Sequence, residues 1–294
     1  MRSLDFNGKD RTTMHVKAHA KVNLFLQVIG RRVDGYHLLQ MIMAPISLAD
    51  ELHLRPIERG VELLCDDSTL PAGADNLVVR AALAVLKAGG CDQGVEITLD
   101  KKIPSAAGLG GGSSDAAATL RAVRELYELP VADERMYELA VGLGADVPFF
   151  LTRHACLVGG IGEQLNHYSV PENLPLALIK PPQGLSTPKV YQALGWPLTQ
   201  SVKATTLPAA LSDGESVAKW LFNDLETPAI SLLPEVAQCK QTLQDSGSLG
   251  VLMSGSGPTV FGIFDDPAQA QAACLRAESE GYWAFSGTLH QTVS

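Results

Sequence analysis

A run of four glycines and two serines, Pro104-Ser-Ala-Ala-Gly-Leu-Gly-Gly-Gly-Ser-Ser-Asp-Ala-Ala-Ala118, has the composition to hold an anion by its main chain. Gly108, Gly110, Gly111 and Gly112 reach backbone angles closed to other residues and let a ligand approach closely. The helix predicted from about Ser113 aims unpaired N–H groups and the positive end of its dipole into the same space, which suits a polyphosphate. Lys101 and Lys102 stand just before the loop and add positive charge. Two better-known phosphate loops do not fit. Ser113-Ser114-Asp115 follow the last glycine where a P-loop has Lys and then Ser or Thr, and the spacing is not that of a dinucleotide fingerprint. A flexible linker of this composition lacks the helix pattern that follows here.

Other residues carry chemistry that the pattern leaves open. Lys21 and Asn23 open an apolar run, Val22 to Val28; Lys21 is either a solvated edge residue or a buried functional cation. Tyr36 and His37 follow the turn-forming Gly30-Arg-Arg-Val-Asp-Gly-Tyr-His37, where they either stack on a planar ring or cover the core. Asp146 sits among apolar residues in Gly142-Leu-Gly-Ala-Asp-Val-Pro-Phe-Phe150. A carboxylate there caps a backbone turn or faces a cleft as a catalytic base. Gly255 and Gly257 form a second loop of close backbone approach. His15 and His19 are spaced i, i+4, but no Glu or third ligand accompanies them, so no metal site is expected.

The elements that must position these residues follow from periodicity. Val22–Val28 and Val95–Asp100 read as strands and Ile46–Pro56 as mixed strand and turn. Asp75 is the expected N-cap of a helix burying Val78, Ala81, Ala82, Val85 and Leu86, which Gly89-Gly90 end. A helix follows the glycine loop, closed by Pro130, and another carries Met136, Leu139, Ala140 and Leu143. Leu174–Ile179 is a buried strand, and Ser186-Thr-Pro-Lys-Val-Tyr191 begins a helix. Residues 222–226 and 233–236 read as polar-rich helices, and 250–264 as strand, glycine turn, strand.

Composition bounds the class. A chain of 294 residues exceeds a typical core of about 100–150, so one large or two intimate domains are expected. The net charge of −9 and the absence of Lys/Arg runs argue against a nucleic-acid partner. Five separated cysteines without a C-x-x-C pair read as buried reduced thiols. The polar opening thirteen residues do not resemble a signal peptide and read as a possible extension, and no apolar stretch of about 18 residues spans a membrane. A cytoplasmic protein is expected, its oligomeric state left open.

Together, Pro104-x-x-x-Gly-Leu-Gly-Gly-Gly-Ser-Ser114 and Gly255-Ser-Gly-Pro-Thr259 resemble the second and third motifs of the GHMP small-molecule kinases. Ala20-Lys-Val-Asn-Leu-Phe-Leu26, the Gly-Tyr-His segment and Leu143-Gly-Ala-Asp-Val-Pro148 are similar to the branch whose acceptor is a CDP-linked methylerythritol. The resemblance covers about residues 17 to 264. It implies an α+β fold of two domains, 1–160 binding ATP and 161–294 binding substrate, with the active site in the cleft between them. It implies ATP and Mg²⁺ as cofactors, Asp146 as general base and Lys21 as its electrostatic partner. Asn76, Lys101, Pro104, Gly108, Leu109, Gly110, Gly111, Gly112, Ser113 and Ser114 would hold the nucleotide. Asn23, Tyr36, His37, Tyr191 and Gly255 would hold the acceptor, with cytosine recognised at Tyr36-His37 and stacked on Tyr191. No dedicated acidic Mg²⁺ ligand stands out. Two positions depart from the pattern: His19 replaces a usual proline, and Asp115 a usual small or amide residue.

Overall fold

Strands form where apolar residues alternate or run together, and helices where they recur every three to four positions. The computed structural model describes residues 13–71, 73–197 and 201–293; residues 1–12 of the expected extension and Ala72 of the loop before the first helix lie outside them. Two long strands, β1 (Met14–Arg31) and β2 (His37–Ile57), open the fold. Ile46–Pro56 is therefore uninterrupted strand rather than strand and turn, because Ile46, Leu48, Ala49, Asp50, Leu52 and Leu54 are all buried.

The chain divides into two compact units that interleave along it. Unit 1 is Met1–His19, Ala49–Ile103 and Gly111–Thr152, and unit 2 is Ala20–Leu48, Pro104–Gly110 and Arg153–Ser294. The expected division at residue 160 is thus a division along the chain, not the boundary of these units.

In unit 1, β3 (Val61–Cys65) pairs in parallel with β4 (Gly94–Asp100), which pairs antiparallel with the end of β2. Between β3 and β4 lies α1 (Leu77–Ala88), whose N-cap is Asn76 rather than the expected Asp75. The Asn76 side chain accepts the Val78 N–H at 2.8 Å and donates to the Pro71 carbonyl at 2.7 Å. Both residue types cap helices; the one placed to reach the N2 amide took the role. Then come α2 (Gly111–Leu126), α3 (Asp133–Leu143) and the short α4 (Val147–Thr152). Helix α2 begins at Gly111, two residues before the expected start. It packs against α1, α3 and α4 and buries Ala116 to Ala118 and Ala122.

In unit 2, β5 (Cys156–Gly159) and β6 (Gln164–His167) form a hairpin on the first half of β2. Next are β7 (Leu174–Lys180), α5 (Thr187–Leu194), α6 (Gly214–Trp220), the two-residue β8 (Phe222–Asn223), α7 (Glu226–Leu232) and α8 (Glu235–Asp245). The strand pair β9 (Gly250–Met253) and β10 (Val260–Ile263), α9 (Pro267–Ser279) and β11 (Trp283–Leu289) complete it. Residues 222–226 were expected to be helical throughout. Phe222 and Asn223 instead pair in parallel with Phe25 and Leu26 of β1, and helix begins only at Glu226. Cys156, Cys239 and Cys274 are buried, and burial pushes the latter two thiols up to about 12 and about 11. Cys65 and Cys91 are only half-buried.

Candidate active site

In unit 2 the two glycine loops lie against each other. Gly108 has φ +78°, and a Cβ there would strike the Ser254 carbonyl and stand 3.0 Å from the Gly257 nitrogen. Only glycine allows that approach. Thr259 donates its N–H to Ala107 O at 3.3 Å, and the Ser254 hydroxyl donates to Gly108 O at 3.1 Å. Leu109 is buried and anchors the loop, and its carbonyl accepts the Lys21 N–H at 3.0 Å.

Lys21 is not a solvated edge residue. Its side chain lies inside unit 2, the residue 4% exposed, donating from Nζ to Asn23 Oδ1 at 2.6 Å and to Gly108 O at 2.8 Å. Gly255 sits above this pair, since a Cβ on it would lie 3.2 Å from Lys21 Nζ and 3.3 Å from Asn23 Oδ1. Lys21, Asn23, Gly108 and Gly255 are therefore one constellation: a buried ammonium, an amide and two stretches of open backbone. Such a group attracts negative charge in a medium that screens it little.

The Gly255 loop is held by Asn223, a residue that the reading as helix concealed. Its Nδ2 donates to Met253 O and Gly255 O, each at 2.8 Å, while its Oδ1 accepts the Leu225 N–H at 2.9 Å. Replacing Asn223 with alanine is expected to cost about 3 kcal/mol of stability, because two buried carbonyls and an N–H lose their partners. Urea unfolding measures this, and a loss below about 0.5 kcal/mol would contradict it. The signal in the sequence was a polar residue beside the apolar Phe222 and Leu225, too short a pattern to mark a strand.

His37 and Tyr191, distant in sequence, are stacked, with ring centroids 4.6 Å apart and planes at 27°. Burial, with the nearby Arg31 charge, lowers the His37 pKa and keeps its imidazole neutral. His37 Nε2 is buried and has no hydrogen-bond partner among the described residues. Tyr36 is 60% exposed, so its ring does not cover the core.

In unit 1, the N-terminus of α2 presents Gly111, Gly112, Ser113 and Ser114, the four residues whose N–H groups lack carbonyl partners within the helix. Ser114 donates its hydroxyl to His19 O at 2.7 Å. A Cβ at Gly112 would stand 3.8 Å from the side chain of Leu77, the residue after Asn76. Lys101, 8% exposed at its side chain, is ion-paired with both Asp50 and Asp115. Asp115 thus meets a cation instead of opposing the loop. Burial pushes its carboxyl up to about 8. Asp50 escaped notice in the sequence because a single carboxylate among apolar strand residues resembles a surface position.

Asp146 occupies the turn between α3 and α4 and is half-buried. Among the described residues no hydrogen bond or ion pair engages its carboxylate, so it does not cap the turn. His15 is joined not by His19 but by Glu51 and His53 of β2, ligand atoms of the three lying within 4.8 Å of one another. The His15 and His53 rings stack at 4.4 Å, and Glu51 is also ion-paired with Lys102. This group lies on the partly exposed face of β2. No helix among the described residues is long and apolar enough to cross a membrane.

Residues 76–154 match the GHMP kinases N terminal domain and residues 206–282 the GHMP kinases C terminal domain. The chain is 43% identical over 273 residues to the 4-diphosphocytidyl-2-C-methyl-D-erythritol kinase of Citrifermentans bemidjiense, covering 92% of this chain and 97% of that one. A crystal structure of 4-(cytidine 5'-diphospho)-2C-methyl-D-erythritol kinase superposes with a TM-score of 0.82 at 40% identity, covering 94% and 99% of the two chains. The homoserine kinase of Cytophaga hutchinsonii shares the fold, with a TM-score of 0.73 at 23% identity over 95% of this chain and 96% of its own.

Proposed function

We propose that this protein, which belongs to the GHMP kinases and within them to the 4-diphosphocytidyl-2-C-methyl-D-erythritol kinases, phosphorylates the tertiary 2-hydroxyl of 4-diphosphocytidyl-2-C-methyl-D-erythritol. The donor is ATP, and the product feeds non-mevalonate isoprenoid synthesis. The observation that carries this reading is the burial of the Lys21 ammonium against the two glycine loops. A buried ammonium costs several kcal/mol, and a developing phosphoryl charge gives it a purpose.

Phosphoryl transfer asks a protein mainly to position reactants and stabilise charge. In the proposed step Asp146 takes the proton of the 2-hydroxyl as that oxygen bonds to the γ-phosphorus. The bond from γ-phosphorus to the bridging oxygen breaks, and ADP leaves with that oxygen. Lys21 draws the negative charge of the transferring group, and Asn23 orients the hydroxyl. The N–H groups of Gly108 and of Gly110 to Ser114 hold the triphosphate, flanked by Pro104 and Leu109, with Asn76 and Lys101 toward adenine. Mg²⁺ arrives with ATP and neutralises phosphate charge; Asp50 and Asp115 are already engaged by Lys101 and are not its ligands. A cytoplasmic location fits a reaction that draws on ATP.

Cytosine is recognised by Tyr36, His37 and Tyr191. The unpartnered His37 Nε2 supports this, since a base edge can satisfy it. Tyr36→Ala is expected to raise the acceptor KM about tenfold or more while the ATP KM moves less than twofold, since stacking on a base contributes about 1–3 kcal/mol. Steady-state kinetics with each substrate varied in turn measures the difference, and an unchanged acceptor KM would contradict the assignment.

The competing acceptors are those of other GHMP kinases, homoserine and mevalonate. ADP release with each acceptor at equal concentration separates them: turnover is expected only with the CDP-linked substrate. Turnover on homoserine or mevalonate alone would overturn the reading. A ligand sensor on the same fold has no need of an unengaged carboxylate at Asp146.

A further inference from the structure

Asp50 lies in unit 1 on the same side of β2 as Leu52 and Leu54 and is fully buried. An unpaired carboxylate there would be strongly unfavourable. Its Oδ1 accepts the N–H groups of Lys102 and of Ile103, the latter at 2.8 Å, and its Oδ2 pairs with the Lys101 ammonium. Lys101 Nζ also donates to Asp115 Oδ2 at 2.8 Å. Asp115 is 2% exposed, and its Oδ1 is buried without a hydrogen-bond partner among the described residues. The same ammonium stands 3.3 Å from where a Cβ on Gly111 would lie, and the Ile103 side chain is 3.0 Å from that point. One buried cation thus abuts the first residue of α2 and bonds to the fifth.

The exposed Lys102 ammonium, ion-paired with Glu51, is the further charge felt by Asp50. The charged groups that act on Asp115 are Lys101 and Asp50. Arg80 and Lys87 of α1 and Asp133, Glu134, Arg135 and Glu138 of α3 are exposed, and α4 carries none. Asp66 accepts the Lys101 main-chain N–H at 2.9 Å and holds the end of β4. With both carboxylates ionised the cluster bears one net negative charge; with Asp115 protonated it is neutral.

We propose that Asp50, Lys101 and Asp115 are positioning residues for ATP: the clamp fixes the N-terminal amides of α2 and keeps uncompensated negative charge away from the bound triphosphate. The proposal rests on the reading of α2 as part of the nucleotide site. An ion cluster that only stabilised the fold would leave ATP affinity indifferent to the ionisation of Asp115. A positioning clamp instead weakens ATP binding as pH rises and Asp115 gives up its proton.

The test is the dissociation constant of MgATP, measured by calorimetry from pH 7 to 9.5, together with kcat and both KM values. The wild type is expected to lose about tenfold in ATP affinity across that range, the scale of one added charge at short range. Asp115→Asn, neutral at every pH and able to accept from Lys101, is expected to remove this slope while holding the pH 7 affinity within about threefold. Asp115→Ala is expected to raise the ATP dissociation constant about tenfold at pH 7, with the acceptor KM unchanged. If the alanine variant does not fold, the slopes of the wild type and the asparagine variant still decide. Equal slopes in those two, or an alanine variant that loses kcat but not ATP affinity, would overturn the clamp alone. A wild type that binds no ATP would overturn the proposed reaction and the clamp with it.

Discussion

Asp146→Asn is expected to lower kcat by about 10³-fold, within the range attributed to a positioned general base, while ATP binding stays within about twofold. The argument is chemical and local. Asparagine keeps the size and shape of the side chain but cannot take the hydroxyl proton. Because the Asp146 carboxylate has no bonding partner among the described residues, the substitution removes no structural bond. A folding defect is therefore not expected, and loss of rate with intact ATP binding assigns the defect to the chemical step. Single-turnover kinetics measures it, and wild-type turnover in this variant would remove Asp146 from the mechanism.

Gly108→Ala is expected to cost about 3 kcal/mol of stability and to reduce kcat/KM by at least about 100-fold. Two effects combine. The positive φ of 78° disfavours any side chain by about 1–2 kcal/mol. The added methyl must also displace main chain, the Ser254 carbonyl and the Gly257 nitrogen, and not the tip of a flexible side chain. That displacement separates the two glycine loops and draws Gly108 O away from Lys21 Nζ. Gly60→Ala is the matched control: its φ is also positive, at 82°, but nothing lies within 4 Å of its Cβ. It should lose only the conformational part, about 1 kcal/mol, with unaltered kinetics. Equal losses in the two variants would show that loop contact is not what Gly108 provides.

The family and fold were legible because the chemistry they share is written in local patterns. The glycine loop, the Gly-Tyr-His segment and Asp146 lie in short runs whose composition limits what the backbone can do. Some readings failed for a physical reason. Asp75 and Asn76 are both good capping residues, and only the path of the chain from Pro71 decides which side chain meets the Val78 amide. Phe222 and Asn223 form a strand because β1 offers an edge, a fact held in residues nearly 200 positions away. Lys21 reads as a surface residue by type; the Asn23 and Gly108 oxygens that receive its charge explain its burial. Asp50 and Lys101 each look ordinary alone, and their meaning arises only when β2, β4 and α2 bring them together.

The central claim is that the phosphoryl group goes to a tertiary hydroxyl of a CDP-linked acceptor. Phosphorus NMR of the product formed by the purified protein from ATP and 4-diphosphocytidyl-2-C-methyl-D-erythritol tests it most directly. A phosphate on a tertiary carbon has no proton on that carbon to couple with, so the predicted result is ADP together with a new phosphomonoester singlet. A new resonance split by protons on the ester carbon, or no new phosphomonoester at all, would contradict the account.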